Sequence, residues 1–147
     1  MTRGALDPWF ERYGESHRNP WNRALHALCV PLITVAALAL LWRLEVPGTT
    51  VSIGLLALCA ALLGCAFVSL RHAMGMAAVA LLITQLWPLL APFLGTVQLG
   101  WILALAWLGQ FVGHAIEGRR PSFADDLRFL LVGPLWIIDG CYRRLGL

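Results

Sequence analysis

Apolar positions in this chain run in long blocks and do not alternate. Four windows are nearly free of charge: Ala24 to Trp42, Val51 to Leu70, Ala77 to Leu94 and Leu99 to Ile116. A helix rises about 1.5 Å per residue and the bilayer hydrocarbon is about 30 Å thick, so roughly 20 residues span it. Each window is close to that length. A segment in lipid must satisfy its own backbone hydrogen bonds, and none of the windows shows the two-residue alternation of barrel strands. The pattern predicts an all-α polytopic membrane protein with about four transmembrane helices plus short interfacial or re-entrant helices. Residues 1–147 read as one integral membrane domain. Residues 1–23 form an interfacial segment anchored by Trp9, Phe10 and Tyr13, residues 24–116 hold the four spans, and residues 117–147 form an interfacial or re-entrant segment. Asn19 is a favoured helix cap and Pro20 suits the first helical position, so the first helix is expected to open there. Pro88 and Pro92 are expected to kink the third span, and Pro121 to help end the fourth helix.

Composition sharpens this picture. Charged residues make up 13% of the 147 positions and mean hydropathy is +0.73. Soluble domains carry about 25% charged residues. The net charge of +3 comes from arginine alone, since the chain has no lysine. It is too small and too close to the apolar windows to point to nucleic acid. The N-terminal segment is polar, mixed in charge and too long for a short secretory leader. Arginines flank the four windows mainly on one side: Arg3, Arg12, Arg18 and Arg23 before the first, Arg71 between the second and third, and Arg119, Arg120, Arg128, Arg143 and Arg144 after the fourth, whereas the opposite turns hold only Arg43, offset by Glu45. That bias predicts both termini in the cytoplasm. The arginine-rich, lysine-free composition predicts a bacterial inner membrane, or the endoplasmic reticulum if the source is eukaryotic. Cys29, Cys59, Cys65 and Cys141 follow no metal-type spacing and read as small hydrophobes. Asp125 and Asp126 read as acids favoured at the start of a helix.

The four histidines carry the candidate chemistry. In this topology His17 and His26 open the first span, His72 lies in the turn after the second, and His114 ends the fourth. All four fall at one depth on one face, and imidazole is the commonest metal ligand. Ionisable groups at membrane depth are costly and tend to mark function. A helix break at Asn19 would let His17 fold back toward His26. Asn22 lies four residues before His26 on the same face, where it would orient the imidazole from behind. Glu117 shares a face with His114 as a ligand, an orienting partner or an acid/base group. Arg119 and Arg120 offer paired guanidiniums at headgroup level, suited to a carboxylate or phosphate; they equally serve as a topogenic charge pair. Histidines that merely bond headgroups or backbone remain the plain alternative for the first stretch.

Taken together, two motifs resemble the Mpo1-like family over most of the chain. They are His17-x-Asn19-Pro20-x-Asn22-x-x-x-His26 followed by Pro31, and Gln110-Phe111-x-Gly113-His114 with Glu117, Arg119-Arg120-Pro121 and Asp126. The resemblance implies a dioxygenase that needs Fe(2+) and O2, acts on a 2-hydroxy fatty acid at the membrane lipid surface, and shortens it by one carbon in α-oxidation. By position it implies functional roles for His17, His26 and His114. His72 falls outside the motif, so the fourth ligand stays open between His72 and Glu117. Under this reading Glu117, Arg119 and Arg120 are the candidate catalytic side chains, His17, His26, His72 and His114 the metal ligands, and Asn19 and Asn22 their supports. Two other functions compete: a di-iron lipid hydroxylase, whose cluster needs about twice as many histidines, and a non-catalytic membrane scaffold or binding protein.

Overall fold

A computed structural model describes residues 6–118 and 132–146. Arg119, Arg120, Pro121, Asp125 and Asp126 lie outside the described residues. The described residues are all-helical apart from short connections, one of which carries an isolated bridge between Glu45 and Ser52. The helices are α1 (Asp7–Glu15), α2 (Pro20–Trp42), α3 (Ile53–Val68), α4 (Leu70–Leu90), α5 (Thr96–Glu117) and α6 (Val132–Leu145), with a 3-10 turn at Ala91–Phe93.

Among the described residues, three helices are long and apolar enough to cross a membrane: Pro20–Trp42, Leu70–Phe93 and Thr96–Glu117. The second apolar window yields a shorter helix, α3, whose 16 residues rise about 24 Å. Ser69 alone separates α3 from α4, in an extended conformation at φ −158°. The third span therefore opens at Leu70, earlier than its apolar window, because the mixed-polarity stretch around His72 is helical too. Arg71 and His72, expected in a turn, occupy the first turn of α4.

Local chemistry explains the helix ends. Asn19 caps α2 in the extended region, its Oδ1 accepting from the Trp21 N–H at 2.9 Å, with Pro20 as the first helical residue. Pro31 lies inside α2 without breaking it, and Pro88 inside α4. The fourth span ends before Pro121 comes into play: Gly118 adopts φ +72°, a left-handed cap that favours glycine.

The main seam of the bundle is α2 against α5, running antiparallel. On α2 it buries Asn22, His26, Cys29, Ile33 and Ala36; on α5 it buries Leu99, Ala106, Gln110, Gly113 and His114. Small residues let the two backbones approach, as in many membrane helix pairs. A Cβ at Gly109 would sit 2.6 Å from the Cys29 sulfur, and one at Gly113 would strike Asn22 Oδ1. α1 packs across one end of the bundle. Its Phe10 and Tyr13 bury in a cluster with Cys65, Ala73, Val132 and Leu135. Tyr13, expected as an interfacial anchor, is thus 5% exposed and part of the interior; Trp9 at 47% stays at the surface.

Candidate metal centre

The antiparallel order brings the start of α2, the start of α4 and the end of α5 to the same end of the bundle. His17 sits in the connection between α1 and α2, His26 on the second turn of α2, and His114 on the last turn of α5. All three are buried. Their rings stand steeply to one another, with centroids 4.1 Å apart for His17–His26, 4.9 Å for His26–His114 and 5.5 Å for His17–His114. One ligand atom from each lies within 4.8 Å of the others, near the roughly 4 Å between donors on opposite sides of a single ion with bonds of about 2 Å.

Hydrogen bonds orient two of these rings. His17 Nδ1 is 2.6 Å from the Tyr13 carbonyl, which can only accept, so Nδ1 carries the proton and Nε2 is the acceptor nitrogen of the ring. That Nε2 faces His26, 3.0 Å from its Nδ1 and 3.3 Å from its Nε2. Tyr13 also stacks on His17, with ring centroids 4.1 Å apart, and its hydroxyl lies 3.1 Å from His26 Nδ1. One residue thus fixes two imidazoles. Burial holds the His17 imidazole below the usual histidine range, opposed in part by the Tyr13 carbonyl, so it is neutral at pH 7. His114 Nδ1 is buried without a hydrogen-bond partner. A buried ring nitrogen without a partner is costly unless something satisfies it. Three imidazoles are a donor set that suits a divalent iron, zinc, copper or nickel ion.

Glu117 does not turn toward the histidines. Its carboxylate accepts from the Arg18 N–H at 3.0 Å, the Asn19 N–H at 2.9 Å and Asn22 Nδ2 at 3.1 Å. It clasps the connection that carries His17 onto the end of α5. Asn22, fully buried, also gives its Nδ2 to the Ser16 carbonyl at 3.1 Å, so it braces the same loop and makes no hydrogen bond to His26. Asn19 contributes its side chain to the α2 cap and its N–H to Glu117. His72 is at the same end but does not join the cluster, because α1 lies between: Phe10 packs against it with centroids 5.5 Å apart. Its Nδ1 lies 2.8 Å from Ser69 Oγ, and its Nε2 faces Asp139 of α6 at 3.6 Å. Asp139 in turn pairs with Arg143 at 2.6 Å.

Tyr13 reads from the sequence as an interfacial anchor and Gln110 only as a motif position, so the residue pattern assigns neither to the site. Gln110 is buried one turn before His114, with Nε2 unpartnered. At the rim, the Arg23 guanidinium lies over the Trp136 ring, 5.6 Å from its centroid, and Trp136 packs 5.3 Å from Tyr13. An open depression of about 790 Å³ lies beside this rim, between α1, the start of α2 and α6.

Comparison with known proteins adds an independent line. The sequence profile described as 2-hydroxy-palmitic acid dioxygenase Mpo1-like matches residues 5–145. A curated relative, the 2-hydroxy-palmitic acid dioxygenase MPO1 of Saccharomyces cerevisiae, is 30% identical over 135 residues, covering 88% of this chain and 75% of the relative. No solved structure matches.

Proposed function

Since this chain belongs to the Mpo1-like family, we propose that it is a membrane-embedded, iron-dependent dioxygenase that shortens 2-hydroxy fatty acids by one carbon. The observation that carries the proposal is the convergence of His17, His26 and His114, with His17 Nε2 turned into the cluster and His114 Nδ1 left without a partner. Ferrous iron, when bound there, supplies the redox chemistry for O2 and the Lewis acidity that a carboxylate and its 2-hydroxyl can share. Three histidine ligands leave positions open for both reactants.

The protein's own contribution is orientation and exclusion of water. The Tyr13 carbonyl holds the His17 proton on Nδ1, keeping Nε2 available, and the Tyr13 hydroxyl holds His26 from behind. Glu117 keeps the loop that bears His17 against α5. Tyr13 and Trp136 wall the site with aromatic surface. Arg23 presents a guanidinium at the rim, where a fatty acid brings its carboxylate; Arg119 and Arg120 keep the same proposed role on sequence grounds. The cleaved bond lies between carbons 1 and 2, and the acyl tail runs toward the bilayer interior. We place the site on the cytoplasmic side of a bacterial inner membrane from the arginine bias.

The test is anaerobic loading of the purified protein with Fe(II) and 2-hydroxyhexadecanoic acid, followed by O2 and mass spectrometry. A fifteen-carbon acid formed by the wild type, and absent with His17→Ala, His26→Ala or His114→Ala, is expected. No shortened acid under these conditions overturns the proposal. A metal-to-protein ratio near two would favour di-iron chemistry.

A further inference from the structure

Below the histidines, α2 and α4 stand apart, and an apolar cavity of about 230 Å³ opens between them. Thr34, Leu38 and Trp42 of α2 form one wall, Met76, Ile83 and Trp87 of α4 the other, and Leu58 of α3 the floor. The two threonines in the wall spend their hydroxyls on their own helices. Thr34 Oγ1 donates to the Val30 carbonyl at 2.9 Å, and Thr84 Oγ1 to the Leu81 carbonyl at 2.7 Å. They therefore turn methyl groups toward the space.

The depth of this cavity can be measured along α2. Thr34 lies eight residues beyond His26 and Trp42 sixteen, so the cavity occupies about 12 to 24 Å below the metal-binding ring, at 1.5 Å per residue. A fully extended chain advances about 1.2 Å per bond, the value implied by three backbone bonds in about 3.6 Å. Carbon 16 of a 2-hydroxy acid, fourteen bonds past the hydroxylated carbon, then reaches about 17 Å, inside the cavity. Carbon 10 reaches about 10 Å and stops above it. The residues His26, Val30, Thr34 and Leu38 follow one another at four-residue intervals and so form a single ridge down α2 from the site to the cavity.

We infer that the space between α2 and α4 receives the distal part of the acyl chain and sets which chain lengths are accepted. This rests on the proposed function for the head of the substrate. Its own content is the tail site, which a ligand must occupy whether or not it turns over. Trp42 and Trp87 line the far end and would mark the upper limit of length.

Two measurements on the full chain in nanodiscs test the inference. Ala80 lines the cavity, and Ala80→Phe is expected to lower the kcat/KM for 2-hydroxyhexadecanoic acid relative to 2-hydroxydecanoic acid at least tenfold. Should that variant fold poorly, Ala80→Leu is expected to shift the ratio in the same direction by a smaller factor. Separately, a sixteen-carbon 2-hydroxy acid with a diazirine at its terminal carbon is expected to cross-link within 34–42 or 76–87. Ala80→Phe is expected to displace those cross-links. An unchanged ratio in a folded variant, or cross-links spread over the lipid-facing surfaces of α3 and α5, overturns the tail site. Cross-linking in the cavity without turnover by the wild type would refute the proposed reaction and leave the tail site standing.

Discussion

Glu117 invites a decisive experiment, because the sequence and the structure offer it different roles. Glu117→Gln keeps the size of the side chain and removes its charge. Three donors converge on the carboxylate: the Arg18 and Asn19 N–H groups and Asn22 Nδ2, at 2.9 to 3.1 Å. Two of them share Oε2, so the best orientation of the new amide keeps those two bonds and sets its NH2 against the Arg18 N–H. A hydrogen bond to a charged group contributes about 1.5–3 kcal/mol and one to a neutral group about 0.5–1.5. Losing one and weakening two would cost about 3.5–6 kcal/mol if the clasp were dry, and its partial solvation reduces this to about 2–3 kcal/mol. At about 1.4 kcal/mol per tenfold, 2–3 kcal/mol corresponds to roughly 30–100-fold in the population of the held loop. His17 directly precedes Arg18, so the metal should bind that much more weakly. Outer partners of metal ligands cost about 10–100-fold on removal, which agrees. The assay is anaerobic titration of the detergent-solubilised variant with Fe(II), or with Co(II) followed by its visible absorption, alongside far-UV circular dichroism to show intact helices. Wild-type metal affinity combined with lost turnover would refute the clasp, and would return Glu117 to a direct role on substrate.

Three further substitutions probe the same arrangement. Tyr13→Phe keeps the stack on His17 and removes the hydroxyl at His26; metal affinity is expected to fall about fivefold, from one lost hydrogen bond of about 1 kcal/mol, and an unchanged titration would dismiss that contact. His72→Ala is expected to leave metal stoichiometry and affinity at wild-type values in elemental analysis while lowering the melting temperature, since His72 ties α4 to α6 and lies outside the cluster; loss of the metal would make it a ligand after all. Gly113→Ala forces a methyl group into Asn22, whose side chain is hydrogen-bonded on two sides. Overpacking of about 1–3 kcal/mol outweighs the roughly 1 kcal/mol gained in helix propensity, so thermal stability should drop, and a rise would mean the α2–α5 seam yields freely.

Much of this architecture could be read from residue order, and the remainder fails for identifiable reasons. The apolar windows mark the helical regions because burial in lipid demands continuity, and Asn19-Pro20 marks the start of α2 because cap chemistry is local. The second window overestimates its helix, since α3 stops at Val68 where Ser69 turns extended. The start of α4 was hidden by Arg71 and His72, which lower hydropathy without breaking a helix. His17 and His26 are close in sequence, and His114 reaches them through the antiparallel pairing of α2 with α5. His72 shares their depth, yet depth says nothing of what stands between, and α1 does. Glu117 satisfies donors nearly a hundred residues away, two of them backbone N–H groups, and no side-chain pattern announces such partners. Tyr13 looked like an interfacial anchor because tyrosine suits that place; its burial depends on where α6 packs. The four-residue spacing of Gly109 and Gly113 marks the tight seam only once α2 is seen against it.

The clasp between Glu117 and the residues beside His17 also orders events during biosynthesis. A ribosome delivers the first two histidines early, and α3, α4 and α5 must all be threaded into the bilayer before His114 and the carboxylate arrive. Until then the nascent chain offers only an incomplete pair of imidazoles on an unbraced loop. Capture of a metal ion by the three histidines is therefore confined to a late stage of assembly, after the helices have been sorted, and a truncated product that lacks α5 should hold no ion there.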